Sequence, residues 1–240
     1  MVNLKDVLLD LIFPPRCVVC DAILNRGEVG IHKKCGQDLF LVNNPVCMHC
    51  GRPLGSNNQE FCYDCSKKSV SNTFKQQKAL FLYKGKIKNS MYRFKYANKR
   101  EYGDFFGKMA IILFGDWIKS HNVECIVPVP MYEKKKKKRG YNQAEVFANA
   151  ISEYSGIPVC PDAVIRVRNT KPMKNLNDIE RKNNLKNAFQ IKEYIVQYNY
   201  IMVVDDIYTT GATADAISFE LLKAGVREVY YLSICIGEGF

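Results

Sequence analysis

The 240-residue sequence has no apolar run approaching the ~20 residues that a membrane-spanning helix needs. It also lacks a small-residue cleavage site after its first apolar stretch, which speaks against a secretory signal peptide. Nor is it short of apolar side chains. These make up 47% of the chain and aromatics 12%, too much for a chain whose main state is disorder. Spanning, secreted and disordered classes are therefore set aside, and a cytoplasmic protein of one or two domains is expected, with about 150 residues usual per domain. Leu4, Val7, Leu8, Leu11 and Ile12 recur at helical spacing, interrupted by Asp6 and Asp10, and predict a short amphipathic helix docked on the body.

What the chain has in quantity is cysteine and positive charge. Ten cysteines in a reducing compartment are expected to be metal ligands or buried thiols rather than disulfides. Seven of them precede residue 66, so they belong to one local unit. That unit contains a repeat. Cys17-x-x-Cys20, eleven residues, then His32-x-x-Cys35 form one copy; Cys47-x-x-Cys50, eleven residues, then Cys62-x-x-Cys65 form the second, offset by 30 residues throughout. Zn²⁺ in structural sites takes four S or N ligands, and paired knuckles supply two each. Two structural zinc ions are expected, one on three Cys and His32, the other on four Cys. Ligand pairing across copies stays open. The metals would staple a unit too small for its own core, so loss of Cys62 would unfold that unit alone. His49, inside a knuckle, is taken as a bystander, and Cys125, Cys160 and Cys235 as small core residues.

The net charge of +11 is local as well: residues 67–140 hold 19 Lys and Arg against 5 Asp and Glu. Either a polyanionic partner such as nucleic acid or a solvated lysine-rich face accounts for this, and charge does not decide between them. Beyond residue 120 strands and helices alternate. Strands are expected at 124–130, 163–167, 200–204 and 228–236, and helices at 142–155 and 214–224, the last ended by Gly225. A basic loop is expected after Pro130. Earlier, 74–83 is strand-like and 103–119 is helical, with Phe105, Phe106, Met109, Ile112, Leu113 and Trp117 on its apolar face. Alternation of this kind argues for an α/β fold with a parallel sheet flanked by helices.

One stretch carries chemistry of its own. From Ile201 to Thr213 an apolar strand ends in Asp205-Asp206 and a Thr/Gly turn opens a helix. Backbone N–H groups, hydroxyls and the helix N-terminus there form a phosphate cradle, with Gly211 permitting close approach. Adjacent acids can accept from vicinal sugar hydroxyls, and together the two features suggest a ribose 5-phosphate. At a strand's end Asp206 would face solvent without a ligand.

This stretch resembles the phosphoribosyl pyrophosphate (PRPP) signature of type I phosphoribosyltransferases. With the N-terminal knuckles, the whole chain is similar to the ComF family, a double zinc ribbon fused to such a domain. Pro128-Val-Pro130, Arg139-Gly-Tyr-Asn142-Gln143 and Arg181-Lys-Asn-Asn-Leu185-Lys-Asn-Ala-Phe189 resemble family segments in the family's order. Departures are His32 for the more usual Cys, and a five-lysine run longer than the family's basic loop. The resemblance implies an N-terminal helix and double zinc ribbon over 1–68 and a phosphoribosyltransferase-like domain over 69–240, its first stretch, 69–100, basic.

The same resemblance implies site roles. Asp205 and Asp206 would hold the ribose hydroxyls and Thr209, Thr210, Gly211, Ala212 and Thr213 the 5-phosphate. Met131 and Tyr132 would face the pyrophosphate, with Mg²⁺ on it, and Arg181, Lys171 and Lys174 would close over it. Arg139, Asn142 and Gln143 would line the same cleft, unless Asn142 is simply a helix N-cap. Three functions fit: a transferase moving phosphoribose from PRPP to a base or amine, with Asp205, Asp206 and Arg181 as catalytic residues; a PRPP-sensing regulator; and a protein handling single-stranded DNA in natural transformation. The last, with a retained PRPP site, is favoured: the intact cradle argues against a decayed domain, and no segment announces a base-specific pocket that would identify an acceptor. Tyr92 and Tyr96, with Tyr83 and Phe94, would be stacking platforms, and Lys134, Lys135, Lys136, Lys137 and Lys138 would track phosphates. Contact with a DNA-uptake helicase or channel is the further partner implied.

Overall fold

A computed structural model describes residues 14–67, 73–168, 185 and 187–238. The expected N-terminal helix, Lys171, Lys174 and Arg181 lie outside these residues. The described strands are β1 (Gln77–Leu82), β2 (Cys125–Pro128), β3 (Val164–Arg166), β4 (Phe189–Ile191), β5 (Tyr200–Tyr208) and β6 (Glu228–Ile236). The described α-helices are α1 (Tyr63–Lys67), α2 (Ile87–Tyr96), α3 (Tyr102–Ser120), α4 (Glu133–Arg139), α5 (Gln143–Ser155) and α6 (Ala212–Lys223).

Four strands make one parallel sheet in the order β1-β6-β5-β2. The expected parallel sheet flanked by helices is therefore present. Its central strands are apolar on both faces, as burial between two layers demands. Along β5, Ile201 and Val203 enter one apolar cluster, and Met202 and Val204 the other, since successive side chains alternate across a strand. The first cluster holds α6, the β3–β4 pair and the cysteines of the second knuckle pair. The second holds α2, α3 and α5. Register places Val204 of β5 between Pro128 and Leu232, so the segment after β2 leaves the sheet beside Asp205.

Four expectations need correction. The strand expected at 163–167 pairs antiparallel with β4 and lies outside the parallel sheet, whose β2 edge is met instead by the single bridge of Val159 to Ile126. The basic loop after Pro130 is helix α4. Lysine and arginine are good helix formers, their charges suit a helix C-terminus, and Gly140 ends the helix in the left-handed conformation at φ 88°. Strand β5 does not stop at Val204 but runs through both acids to Tyr208. On α3 the inward line passes through Tyr102, Phe106 and Ala110, and Ile112, 65% exposed, lies about 120° around the helix from Phe106.

Both edges of the sheet carry short additions. Val42 N–H donates to the Leu80 carbonyl and Leu82 N–H to the Phe40 carbonyl, with Leu41 bridging Phe81. On the other edge Val159 bridges Ile126 of β2.

Candidate functional site

The repeat read from the cysteines is a repeat of backbone structure. Cys17 N–H donates to Ala22 and Cys47 N–H to Arg52; Asp21 N–H returns to Cys17 and Gly51 N–H to Cys47. Asp21 and Gly51, at the same position of each turn, have φ of 63° and 68°. These turns aim both thiols of a knuckle the same way. The result is two clusters, Cys17, Cys20, His32 and Cys35, and Cys47, Cys50, Cys62 and Cys65, with ligand atoms in each within 4.8 Å of one another. Ligands pair within copies, not across them. The Sγ atoms of Cys50 and Cys62 are 3.6 Å apart, close to the ~3.8 Å edge of a tetrahedron with Zn–S near 2.3 Å. His32 turns Nδ1 towards Cys20 (3.3 Å), while its Nε2–H donates to the Ile23 carbonyl at 3.0 Å. That second bond fixes the tautomer a metal needs. All ten cysteines are free of disulfides. Both clusters fit structural zinc. His49 takes no part, stacking on Phe74 with ring centroids 4.3 Å apart. Cys125, Cys160 and Cys235 are buried, as expected of core residues.

At the carboxyl ends of the strands, Asp205, Tyr208, the turn 209–213 and Tyr231 line a small pocket. Gly211 has φ +82°, and a Cβ there would lie 2.4 Å from the Tyr208 hydroxyl, so only glycine closes this turn. The two acids are not equivalent. Asp205 accepts from the Tyr231 hydroxyl (3.0 Å) and the Asp206 N–H (2.8 Å). Burial, then the neighbouring Asp206, pushes its pKa up to about 7. Asp206 does not face solvent, because its Oδ2 sits 2.9 Å from Lys95 Nζ of α2. Burial works against the Lys95 ammonium, but Asp206 and Asp205 more than offset it and keep its pKa above the usual lysine value. Neither Lys95 nor Tyr231 was found by sequence reasoning. Only three-dimensional pairing across 111 residues makes Lys95 a partner, and no local motif marks it.

The alternating run Tyr92 to Tyr96 is wound into α2, and the winding separates its members. Tyr92 and Tyr96 point outward, 64% and 63% exposed, with ring centroids 5.1 Å apart. Phe94 is fully buried and packs on Phe106, which corrects its expected role as a stacking platform. Arg93 turns to the first knuckle pair, donating to the carbonyls of Val18 (3.1 Å) and Val19 (2.7 Å). Arg139, at the end of α4, lies over the Tyr96 ring and donates to Gln143 Oε1 at 2.7 Å.

Asn142 is the N-cap of α5, accepting from Ala144 N–H, and its amide also holds the Val129 carbonyl at 2.9 Å. That bond anchors the segment that carries Met131 and Tyr132 away from β2. The five lysines of α4 are not one uniform patch: Lys136 pairs with Glu145 at 2.8 Å and Lys137 with Glu133 at 3.9 Å. Among the described residues no helix is long and apolar enough to cross a membrane.

Comparison with known proteins adds to this picture. Residues 8–66 match the family model of the double zinc ribbon domain. The chain is 30% identical to the competence protein F of Haemophilus influenzae over 219 residues, 89% of this chain and 93% of that protein. It is 25% identical to the DNA utilization protein YhgH of Escherichia coli over 94% of this chain and 98% of that one. It is also 25% identical to the competence protein ComFC of Bacillus subtilis, over 87% and 89% of the two chains.

Proposed function

Because this chain belongs to the ComF family, we propose that it handles incoming single-stranded DNA during DNA uptake and holds PRPP in its α/β part. The observation that carries the DNA reading is the exposed Tyr92–Tyr96 pair with Arg139 against it, flanked by the lysines of α4. Aromatic faces stack bases of any sequence, and cations beside them follow the phosphates. The names of the relatives, carried over almost their full lengths, support the same role. Contact with a helicase or channel of the uptake apparatus belongs to this reading.

For PRPP, the residues proposed are Asp205 and Asp206 towards the ribose hydroxyls and the 209–213 turn towards the 5-phosphate. Met131, Tyr132 and Arg139 are proposed on the pyrophosphate side, where Mg²⁺ would neutralise charge. Lys95 already neutralises Asp206, so a polyanionic ligand meets one acid compensated and the other with a raised pKa. This arrangement also favours a second reading, an active transferase moving phosphoribose to a base or amine.

Binding of single strands of varied sequence, at rising salt, tests the first reading. Affinity should be largely independent of sequence and should fall steeply with salt. No binding at about 50 mM salt, where phosphate contacts are strong, would remove it. PRPP binding with Mg²⁺ by calorimetry, then pyrophosphate release against a panel of bases and amines, tests the second.

A further inference from the structure

Arg52 physically joins the second knuckle pair to the turn 209–213. It stands two residues after Cys50 and is 8% exposed. Its Nη1 donates to Asp64, which lies between Cys62 and Cys65. Its Nη2 donates to the carbonyl of Thr209, 157 residues away in sequence. The first knuckle pair has no counterpart, since the residue 30 positions before Arg52 is Ala22. That pair reaches the rest of the molecule through Arg93 and Tyr102 instead, on the far face of the sheet.

The knuckle that bears Arg52 is clamped on its other side as well. Gly51 has φ +68°, and a Cβ there would lie 2.6 Å from the Gln77 carbonyl oxygen at the start of β1. Gln77 N–H in turn donates to the His49 carbonyl at 2.8 Å. Cys50 and Cys65 share an apolar cluster with Tyr208, Ala214 and Ile217, the residues that flank the turn. The guanidinium therefore projects from a fixed base.

A carbonyl held in this way fixes more than itself. The Thr209 C=O and the Thr210 N–H belong to one planar trans peptide unit and point in opposite directions. With the carbonyl drawn towards Arg52, the Thr210 N–H is turned away from the knuckle. We infer that Arg52 is a positioning residue for the phosphate turn, and that the four-cysteine ribbon, not the histidine-containing one, sets how well that turn holds a phosphate group. The ligand half of this inference rests on reading 209–213 as a phosphate site; the strut does not.

The test uses full-length, zinc-loaded protein and two readouts, amide hydrogen exchange over 209–214 and PRPP affinity in the presence of Mg²⁺. Arg52→Gln should keep both zinc ions, speed exchange of the turn amides and weaken PRPP about tenfold, as loss of a charge-assisted hydrogen bond does. Arg52→Lys, which keeps the charge without the two-pronged geometry, should fall between. Arg93→Gln, which cuts the first ribbon's tie to α2 and keeps every metal ligand, should leave turn exchange unchanged. Should Arg52→Gln fail to fold, Asp64→Asn removes the other anchor of the guanidinium and is read the same way. Wild-type exchange at 209–214 in Arg52→Gln, or equal loosening in Arg93→Gln, overturns the inference. If wild-type protein does not bind PRPP, the ligand reading fails, and the exchange data alone still decide for or against the strut.

Discussion

Lys95 Nζ lies 2.9 Å from the Asp206 carboxylate, and each side chain is only 18% exposed. The pair ties the helix that displays Tyr92 and Tyr96 to the strand that leads into the turn 209–213. One element thus borders both proposed ligands. Without the ammonium, Asp206 would face Asp205 uncompensated. Lys95→Met should therefore lower unfolding stability by about 2–3 kcal/mol, somewhat less than loss of one partner from a fully buried pair. Adding Asp206→Asn should restore most of it, because the stranded charge is then gone. Urea unfolding of the two single variants and the double variant checks this, and a double variant no more stable than Lys95→Met would contradict it.

Zinc should be present at two equivalents per chain, one for each cluster. Cys62→Ser should reduce this to one. It should also lower the unfolding temperature of the α/β part, since Phe40 to Val42 pair directly with β1 and Gly51 abuts Gln77. The cysteine spacing alone suggested an independent unit; the backbone hydrogen bonds that the two parts share are the reason to expect them to unfold together. Elemental analysis with scanning calorimetry is the measurement, and an α/β transition unmoved by Cys62→Ser would refute the coupling.

Charge and stacking should separate in DNA binding. Replacing Lys134, Lys135 and Lys138 with Gln should flatten the log–log salt dependence by about 2, at roughly 0.7 per phosphate contact on single strands. Lys136 should matter less, being paired with Glu145. Replacing Tyr92 and Tyr96 with Ala should weaken binding by about 1–3 kcal/mol per stacked base and leave the slope alone. Fluorescence titrations over a salt series read both quantities.

Asp205 gives the protein a pH dependence of definite sign. Its folded pKa is raised from 3.8 to about 7, so its stabilising share is full below 3.8 and lost as pH rises through about 7. Asp205→Asn, which cannot ionise, should be less sensitive to the change from about pH 6 to about pH 8 than wild type. Denaturant midpoints at both values test it. A wild-type slope equal to that of the variant would show that Asp205 is ionised throughout.

Most of the fold was legible because its signals are local. The cysteine repeat, the strand ending in Asp205-Asp206, and the helix opened by Asn142 and closed by Gly156 each announce themselves within a few residues. What was not legible depended on contacts far apart in sequence. Nothing near Lys95 marks it as a partner of Asp206, and nothing near Arg52 points to Thr209. The run Tyr92 to Tyr96 misled for a different reason. It alternates like a strand, but as a helix it sends Phe94 into the core, Arg93 to the first ribbon and the tyrosines to solvent. The lysine run misled by composition, since consecutive like charges read as loop until Gly140 and Glu145 are seen to support a helix.

An open edge strand is a template for pairing with another chain. Here Phe40 to Val42 cover β1 and Val159 covers β2, so neither outer strand presents its full ladder. The cover on β1 lies in the linker between the two metal-binding repeats and is only as secure as they are. Metal withdrawal would thus uncover this edge along the buried apolar stretch Ala79 to Phe81, freeing the Leu80 carbonyl and the Leu82 N–H. The zinc ions would then act as guardians of solubility, and self-association after chelation should begin at this edge.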